Sequence, residues 1–385
     1  MGGRFKKPEN IISLRTAVYN PFRRDSVPGA ARPPGRFFPC GRLVPARPAA
    51  YNISDGISDG NLRHSAQRGG TALTFSELSP GTAAVVGGVN MDICGRPDRS
   101  LIPRDSNPGR VRLSPGGVGR NIAHNLALMG VETSLITALG GDLYARQIEA
   151  SCAELGIDLS GAVRVPGEST SVYLYISDAD GDMALAISDM EICRHLSPEA
   201  LEPRLGLLEC AGAVVLDANL PAESIRFLCE RLRAPVFADP VSVAKAEKLR
   251  GVLGRIDTLK PNRAEAELLS GVTIRDRSDL RRAAEALLSA GLRRVFISLG
   301  AQGVYAADEN ERQLFPAMGA LPVNTTGGGD AFMAGLVWAA LRGADLSGSA
   351  RAGLAAAAVA LESEETVNPA MSAAALVRRM EQNKE

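Results

Sequence analysis

Nine residues near the carboxyl end of the chain carry the clearest potential for chemistry. They read Asn324-Thr325-Thr326-Gly327-Gly328-Gly329-Asp330-Ala331-Phe332, and a helical pattern of Ala, Leu and Val follows them. Three consecutive glycines allow successive backbone N–H groups to turn toward one point at a helix N-terminus, where the helix dipole also favours an anion. The segment therefore predicts a cradle for a phosphate group.

Asp330 is placed to act on whatever this cradle holds. In the first turn of the following helix, its carboxylate could take a proton from a hydroxyl group that attacks the phosphate. A flexible turn that only caps the helix would produce the same pattern. The other motifs of the chain decide between these two interpretations.

The first eighty residues differ in composition from the rest. Residues 1–80 are rich in Arg, Pro, Ser and Gly without a sustained apolar period, which predicts a disordered extension. They hold twelve Lys and Arg against five Asp and Glu, whereas residues 81–385 hold thirty-one against thirty-eight. A basic tail can bind nucleic acid or a membrane, or act as a transit peptide. An unstructured extension, or a start codon placed too far upstream, is favoured because the tail lacks an apolar signal region and a long amphipathic helix.

Several classes of protein are disfavoured by the composition. No run of 18 apolar residues occurs, so no transmembrane helix is expected. The six cysteines are scattered without a C-x-x-C pair or a histidine at metal spacing, which argues against zinc and against a disulfide framework. We expect a soluble, cytoplasmic protein with reduced thiols and with no membrane or nucleic-acid partner.

From residue 81 onward, short β-branched runs alternate with helical periods. This alternation predicts an α/β fold with a mostly parallel central sheet, helices on both faces, and ligands bound beyond the carboxyl ends of the strands. The predicted strands are 83–89, 134–138, 213–217, 236–239, 257–260 and 294–298, and the predicted helices are 121–129, 142–155, 222–232, 263–270 and 279–290.

One region departs from the alternation. Residues 171–176 and 183–187 predict two strands of a hairpin, joined by a turn rich in Asp. Inserted in an α/β chain, such a hairpin can form a small second sheet that acts as a lid. We therefore expect one domain over residues 81–385, with a lid from about 98–116 and 162–191.

Two motifs near the first strand suggest a polar ligand. Asn90 and Asp92 follow a buried apolar run, and Asp92 could accept hydrogen bonds from two sugar hydroxyls or cap a turn. Residues 114–121 form a second glycine-rich entry to a helix. This segment lacks the third glycine of a dinucleotide fingerprint, and no P-loop sequence occurs, so nicotinamide binding and a P-loop are both disfavoured.

Two further motifs follow predicted strands. Asn262 and Glu265 share one face of a helix, where an amide oxygen and a carboxylate suit a hydrated Mg²⁺, or a helix cap with a surface Glu. Residues 297–303 place a glycine turn after a strand, where a nucleotide could approach the backbone.

In this order and spacing, the motifs resemble the ribokinase-like (pfkB) family of carbohydrate and nucleoside kinases from about residue 83 to residue 369. Four further stretches are similar to the pseudouridine kinases of that family: 117–123, 186–190, 239–245 and 362–369. The resemblance implies ATP-dependent, Mg²⁺-dependent phosphorylation of the 5′-hydroxyl of pseudouridine. A kinase for another nucleoside or a sugar, and a non-catalytic nucleoside-binding protein, are the alternatives.

The resemblance also implies individual roles. Asp330 would be the general base, and Gly327, Gly328 and Gly329 would form the anion hole for the transferring phosphoryl group. Asn262 and Glu265 would hold Mg²⁺ through water. The nucleoside would contact Asn90, Asp92, Gly116, Gly117, Asn121, Thr170, Tyr173, Asp189 and Asn219, and ATP would contact Lys260, Asn262, Ser298, Gly300, Gly303, Thr326 and Asn368.

Two residues depart from the family pattern. Gly328 stands where alanine is commoner, which is a conservative change for a cradle built of backbone N–H groups. Asn324 stands where many relatives have an aspartate that helps to hold a monovalent cation, so a potassium site is left undecided. Small lids of this family often pair between subunits, and the resemblance therefore suggests a homodimer that forms through the lid.

Overall fold

A central sheet and a smaller separate sheet organise the fold. The computed structural model describes residues 81–178, 183–320, 323–324 and 326–383, and the predicted basic extension at residues 1–80 lies outside them. The strands are β1 (Thr82–Val86), β2 (Asn90–Pro97), β3 (Gly109–Gly116), β4 (Glu132–Ile136), β5 (Ala138–Gly140), β6 (Val163–Val165), β7 (Val172–Ser177), β8 (Met183–Asp189), β9 (Ala213–Asp217), β10 (Val236–Asp239), β11 (Thr258–Leu259), β12 (Arg294–Ser298), β13 (Val304–Ala307) and β14 (Arg312–Phe315).

The central sheet confirms the predicted, mostly parallel arrangement. Its eight strands lie in the order β14-β13-β12-β11-β10-β9-β1-β4. The strands from β12 to β4 are parallel, and β13 and β14 add an antiparallel hairpin at one edge. Strand β1 has β4 on one side and β9 on the other, so the strands that follow β1 in sequence are added first on one side of it and then on the other. In such a sheet, ligands bind beyond the carboxyl ends of the strands at this position.

Helices cover both faces of the central sheet, as predicted. Ala83 and Val85 of β1 belong to one apolar core, and Ala84 and Val86 belong to another, because successive strand residues point to opposite faces. No helix of the described residues is long and apolar enough to span a membrane. The helices are α1 (Val118–Leu128), α2 (Leu143–Glu154), α3 (Pro198–Leu201), α4 (Leu205–Glu209), α5 (Ala222–Arg231), α6 (Val243–Ala246), α7 (Arg263–Ser270), α8 (Arg277–Ser289), α9 (Gly328–Ala340), α10 (Leu346–Leu361) and α11 (Ala373–Gln382).

The smaller sheet has the order β3-β2-β7-β8. The predicted hairpin is present as β7 and β8, which are antiparallel, while β2 pairs in parallel with β7. Strand β2 was not predicted, and it brings the sheet to residue 90 rather than to residue 98. Its sequence contains Asp92, Gly95 and Pro97, which carry little strand propensity, so pairing on both sides determines its conformation.

Helices α9 and α10 pack closely because glycine occupies the contact on each of them. A Cβ atom added at Gly335 would lie 2.6 Å from the carbonyl oxygen of Ala352. One added at Gly353 would lie 2.8 Å from the ring of Phe332. Since α9 begins at the glycine triplet, this packing fixes the position of the predicted phosphate cradle.

We predict that Gly335→Ala destabilises the fold by about 1–3 kcal/mol, because the added methyl group must push α9 away from α10. The measurement is the free energy of unfolding in urea. Gly206→Ala is the matched control, since a Cβ atom there meets nothing within 4 Å. The control is expected to be neutral or to add up to ~1 kcal/mol, because alanine favours a helix over glycine. Equal losses in the two variants would contradict this account.

Candidate active site

Charged side chains gather at the carboxyl ends of three neighbouring strands. Asp217 ends β9, Asp239 ends β10, and Lys260 follows β11. All three side chains are buried. This is the edge of a parallel sheet at which ligands bind, and the N-terminus of α9 carries Asp330 to the same place.

Asp330 has the environment of a proton acceptor. Its Oδ2 accepts a hydrogen bond of 2.9 Å from Nδ2 of Asn121. Burial and, to a smaller extent, the charge of Asp239 raise the pKa of the Asp330 carboxyl, Asn121 and Lys260 lower it, and the net result is a pKa of about 7. A carboxylate with a pKa near neutrality is suited to taking a proton and releasing it again.

The glycine triplet leaves backbone N–H groups available at the start of α9. Gly327 has a φ of 82°, a left-handed conformation, and a Cβ atom there would overlap the carbonyl oxygen of Thr366. No side chain caps the helix N-terminus. The first-turn amides can therefore serve an anion, which the helix dipole also favours.

Lys260 lies directly beside this cradle. A Cβ atom added at Gly329 would be 3.2 Å from Nζ of Lys260. The same Nζ forms a buried ion pair of 3.0 Å with Asp239. Burial by itself would lower the pKa of Lys260, but Asp239, Asp330 and Glu265 together raise it, so the side chain carries its positive charge. An ammonium group at this point can offset the charge of a phosphate.

A buried arginine orients the asparagine that bonds Asp330. Arg120 donates from Nη1 to the carbonyl oxygen of Pro115 at 2.9 Å and from Nη2 to Oγ of Ser151 at 2.9 Å. It also donates to Oδ1 of Asn121 at 3.4 Å. Because an arginine can only donate, the oxygen of the Asn121 amide faces it and the NH₂ group faces Asp330. Arg120 was not among the predicted site residues.

Asp92 and two glycines form the predicted sugar side of the site. Asn90 donates a short hydrogen bond to Oδ1 of Asp92. Burial raises the pKa of the Asp92 carboxyl to about 6, although Asn90 and Arg120 lower it. A Cβ atom at Gly116 would overlap the Asp92 carboxyl, and Gly117 adopts a φ of 96°. Glycine is therefore needed here for the chain to pass so close to Asp92.

Asn219 lies between the loop after β1 and a lysine that sequence analysis did not assign to the site. A Cβ atom at Gly88 would be 2.9 Å from Nδ2 of Asn219. Nζ of Lys245 donates to Oδ1 of Asn219 at 2.5 Å. Val241, in the turn that leads to Lys245, has a φ of 65°, which is rare for a β-branched residue and marks a strained turn. That strain supports a special role for this turn.

The register of the smaller sheet β3-β2-β7-β8, called the lid sheet from here on, places one predicted site residue on a different face from the others. Asp92 pairs with Tyr173, and Tyr173 pairs with Ser188, so these three side chains share one face. Asp189 pairs with Val172 and therefore lies on the other face, where it cannot join them. Ser188 is the residue on the face of Asp92, and the role of Asp189 as a nucleoside contact stays a prediction.

Two other predicted ligands have their polar groups bonded within the protein. The hydroxyl of Thr170 donates to Oδ1 of Asp142 at 2.8 Å and accepts from the N–H of Gly140 at 3.0 Å. Asn368 donates to the carbonyl oxygen of Val359 at 2.7 Å. Its Oδ1 also accepts from the N–H of Ala370 at 2.9 Å. Both residues are buried and these hydrogen bonds hold loops in place, and their roles as ligand contacts stay predictions.

A cavity of about 330 Å³ lies at the predicted nucleotide position. Gly303 does not line it, because this buried glycine shapes the turn into β13, where a Cβ atom would overlap the carbonyl oxygen of Phe315. Thr326 is exposed at the entry to the glycine triplet. The lining residues are Asn262, Arg263, Ala264, Ser298, Leu299, Gly300 and Gln302.

The predicted magnesium pair forms a capping box at the start of α7. Oδ1 of Asn262 accepts from the N–H of Glu265 at 3.0 Å, and Oε2 of Glu265 accepts from the N–H of Asn262 at 2.8 Å. Within the described ranges there is no cluster of three or more His, Cys, Asp or Glu side chains that could hold a metal. Oε1 of Glu265 is not used in the capping box and could accept a hydrogen bond from a water bound to Mg²⁺. A single contact of this kind fits a Mg²⁺ that keeps most of its waters.

The sequence also places the protein in a known family. The family described as pfkB family carbohydrate kinase matches residues 81–373, and the chain belongs to this family. It is therefore an ATP-dependent kinase, as the resemblance of its motifs implied.

Two relatives and one solved structure show the extent of the similarity. The pseudouridine kinase of Escherichia coli strain K12 is 38% identical over 299 residues, which cover 77% of this chain and 96% of that protein. A second protein of that strain, described as an uncharacterized sugar kinase YeiI, is 40% identical over 326 residues, which cover 84% and 88%. The crystal structure of a ribokinase from Thermotoga maritima has a TM-score of 0.71 at 25% identity, and the match covers 78% of this chain and 99% of that one.

Proposed function

We propose that this kinase transfers the γ-phosphoryl group of ATP to the 5′-hydroxyl of pseudouridine and forms pseudouridine 5′-phosphate. The observation that carries the proposal is the position of Asp330, which follows the glycine triplet, bonds Asn121 and has a pKa near 7. The similarity to the pseudouridine kinase of Escherichia coli, over nearly the whole length of that enzyme, supports this choice of nucleoside.

In this proposal, Asp330 takes the proton of the 5′-hydroxyl as that oxygen attacks the γ-phosphorus. The amides of Gly327, Gly328 and Gly329 hold the equatorial oxygens of the phosphoryl group in transfer. Lys260 offsets the charge that accumulates beside them. Mg²⁺, held through water by Glu265 and by the phosphates of ATP, would supply further charge neutralisation.

The nucleoside would lie between the central sheet and the lid sheet. Asp92 would accept hydrogen bonds from the ribose hydroxyls, while Tyr173 and Ser188 lie on the same lid face. Lys245 and Asn219 would recognise the base, since an ammonium and an amide group can bond its carbonyl oxygens. Closure of the lid would exclude water, which is a competing acceptor of the phosphoryl group.

The proposal is tested by measuring ADP release with pseudouridine, uridine, adenosine and ribose, each with ATP and Mg²⁺. We expect pseudouridine to give a kcat/KM at least about tenfold above each of the others, the scale that a few hydrogen bonds to the base provide. A higher kcat/KM for ribose or another nucleoside would reassign the substrate. Ligand binding without any release of ADP would identify a non-catalytic binding protein instead.

We predict that Asp330→Asn lowers kcat by roughly 10²-fold or more with little change in nucleoside affinity, because the variant loses the proton acceptor alone. In the wild type, kcat/KM should rise with pH through an apparent pKa of about 7, since Asp330 must be ionised to act. Lys260→Met removes a positive charge that favours the ionised form of Asp330, so the pKa of Asp330 should increase. The pH at which the remaining activity reaches half of its maximum should therefore be higher than in the wild type.

Asp345→Asn is the control for the change at position 330. Asp345 is an exposed residue that caps α10 by accepting from the N–H of Gly348, and asparagine caps a helix equally well. This variant should keep wild-type activity and the same pH profile. Near wild-type turnover in Asp330→Asn would remove the assignment of the base.

We also propose that two copies of the chain pair through the lid. Six large apolar side chains are exposed on the lid sheet, and its register places five of them, all except Met183, on the face opposite Asp92. An apolar patch of this kind on a small sheet requires a cover, and a second copy of the same face provides one. The residues are Val111, Leu113, Leu174, Leu185 and Ile187.

The pairing predicts that Leu185→Glu combined with Ile187→Glu produces a monomer, since buried carboxylates would face each other across the interface. Light scattering during size-exclusion chromatography measures the mass. Ser188→Glu is the control for the mass, because Ser188 is exposed on the same strand and its pairing with Tyr173 places it on the other face. A wild-type protein that is monomeric at all concentrations would contradict the proposal.

A cytoplasmic location is proposed as well. In the part of the chain that the structure describes, none of the five cysteines forms a disulfide bond. This state agrees with a reducing compartment in which ATP is also present.

A further inference from the structure

Asn324 connects the loop before the glycine triplet to the loop after α10. Its Nδ2 donates to the carbonyl oxygen of Glu364 at 3.1 Å, and its Oδ1 accepts from the N–H of Thr326 at 2.9 Å. The loop before the glycine triplet also contacts the end of α10, where the N–H of Val323 donates to the carbonyl oxygen of Leu361 at 2.8 Å. These contacts set the position of the residues that lead into the phosphate cradle.

The orientation of the Asn324 amide follows from its neighbours. The N–H of Thr326 requires an acceptor, so the amide oxygen must face it. The NH₂ group is then left facing the carbonyl oxygen of Glu364, with which it forms a hydrogen bond. The reverse orientation would set two donors against each other on one side and two acceptors on the other.

This arrangement does not fit a monovalent cation at position 324. An aspartate here would present its second oxygen toward the carbonyl of Glu364, and a cation between two such oxygens would bind both. Asn324 presents NH₂ at that point, which has no lone pair to offer and repels a positive ion. The hydrogen bond joins the two loops directly.

We propose that Asn324 is a positioning residue that replaces a monovalent cation in this kinase. Its amide bridge holds the loop ahead of the cradle against the loop of Glu364, so phosphoryl transfer does not depend on potassium. The inference rests on the proposed phosphate cradle and is independent of which nucleoside is phosphorylated.

The test compares the wild type with Asn324→Asp in potassium chloride and in tetramethylammonium chloride at equal ionic strength. Both kcat/KM and the melting temperature are measured in each salt. In the wild type, we expect neither quantity to respond to potassium. In Asn324→Asp, carboxylate and carbonyl oxygens repel each other unless a cation lies between them, so potassium should raise both quantities. The gain in kcat/KM should be about tenfold or more, because small displacements of reacting groups are costly.

Two further variants complete the test. Asn310→Asp introduces the same charge at an exposed turn between β13 and β14, and potassium should affect neither its activity nor its melting temperature. Asn324→Ala removes the bridge without creating a cation ligand, so its activity should be low in both salts.

Several results would overturn the inference. One is activation of the wild type by potassium, or a rise in its melting temperature with potassium. Another is a folded Asn324→Asp variant without any potassium response. The melting temperature is measured without substrate, so it tests the role of Asn324 even if pseudouridine is not phosphorylated. The comparison of the wild type in the two salts tests that role even if Asn324→Asp does not fold.

Discussion

The structure depends on the balance of charge at the carboxyl edge of the central sheet. The charge of Asp239 raises the pKa of both Asp217 and Asp330, and Lys260 lies among these carboxyl groups as a buried cation. Buried charges are costly unless they are paired and hydrogen-bonded. Asp239 meets this condition through Lys260, and Asp217 meets it through the N–H groups of Gly88 and Asn219.

Asp330 is the member of the group with the weakest compensation. It accepts one hydrogen bond from Asn121, and the pKa of its carboxyl, about 7, is raised further than that of Asp217, which is about 6. Asp239 is paired with Lys260, and Asp217 accepts from two backbone N–H groups, so Asp330 is the carboxyl of the three that is best able to exchange a proton. Arg120 acts on Asp330 indirectly, since its hydrogen bond to Asn121 determines which end of that amide faces Asp330.

The sequence predicted the elements whose signals are local. The bounds of β9, β10, β12 and α7 agree with the predicted ranges, because apolar runs and a capping residue mark these elements. Strand β2 was missed because its conformation comes from pairing with strands that are distant in sequence. The sequence could not show that Asp189 lies on the face opposite Asp92 for a related reason, since one step along a strand reverses the face and only the register reveals it.

The site residues divide in the same way. The glycine triplet and Asp330 were predicted as site residues because a glycine run followed by a carboxylate is distinctive within a few residues, and Asn121 was predicted from the family resemblance. Arg120 and Lys245 were not assigned, because their importance lies in contacts with residues some distance away in the chain. Thr170 and Asn368 are polar residues of a kind that can bind ligands, and only the structure reveals that their side chains already form hydrogen bonds within the protein.

The close approach of α9 and α10 limits how this enzyme can move. The helices meet backbone to backbone at Gly335, and the ring of Phe332 packs directly on Gly353, so the contact leaves little room for one helix to slide over the other. We therefore expect the start of α9, with its glycine triplet, to move little against α10 during turnover. Opening and closing of the site would then fall to the four-stranded sheet, and nucleotide exchange and substrate entry would be governed by different parts of the molecule.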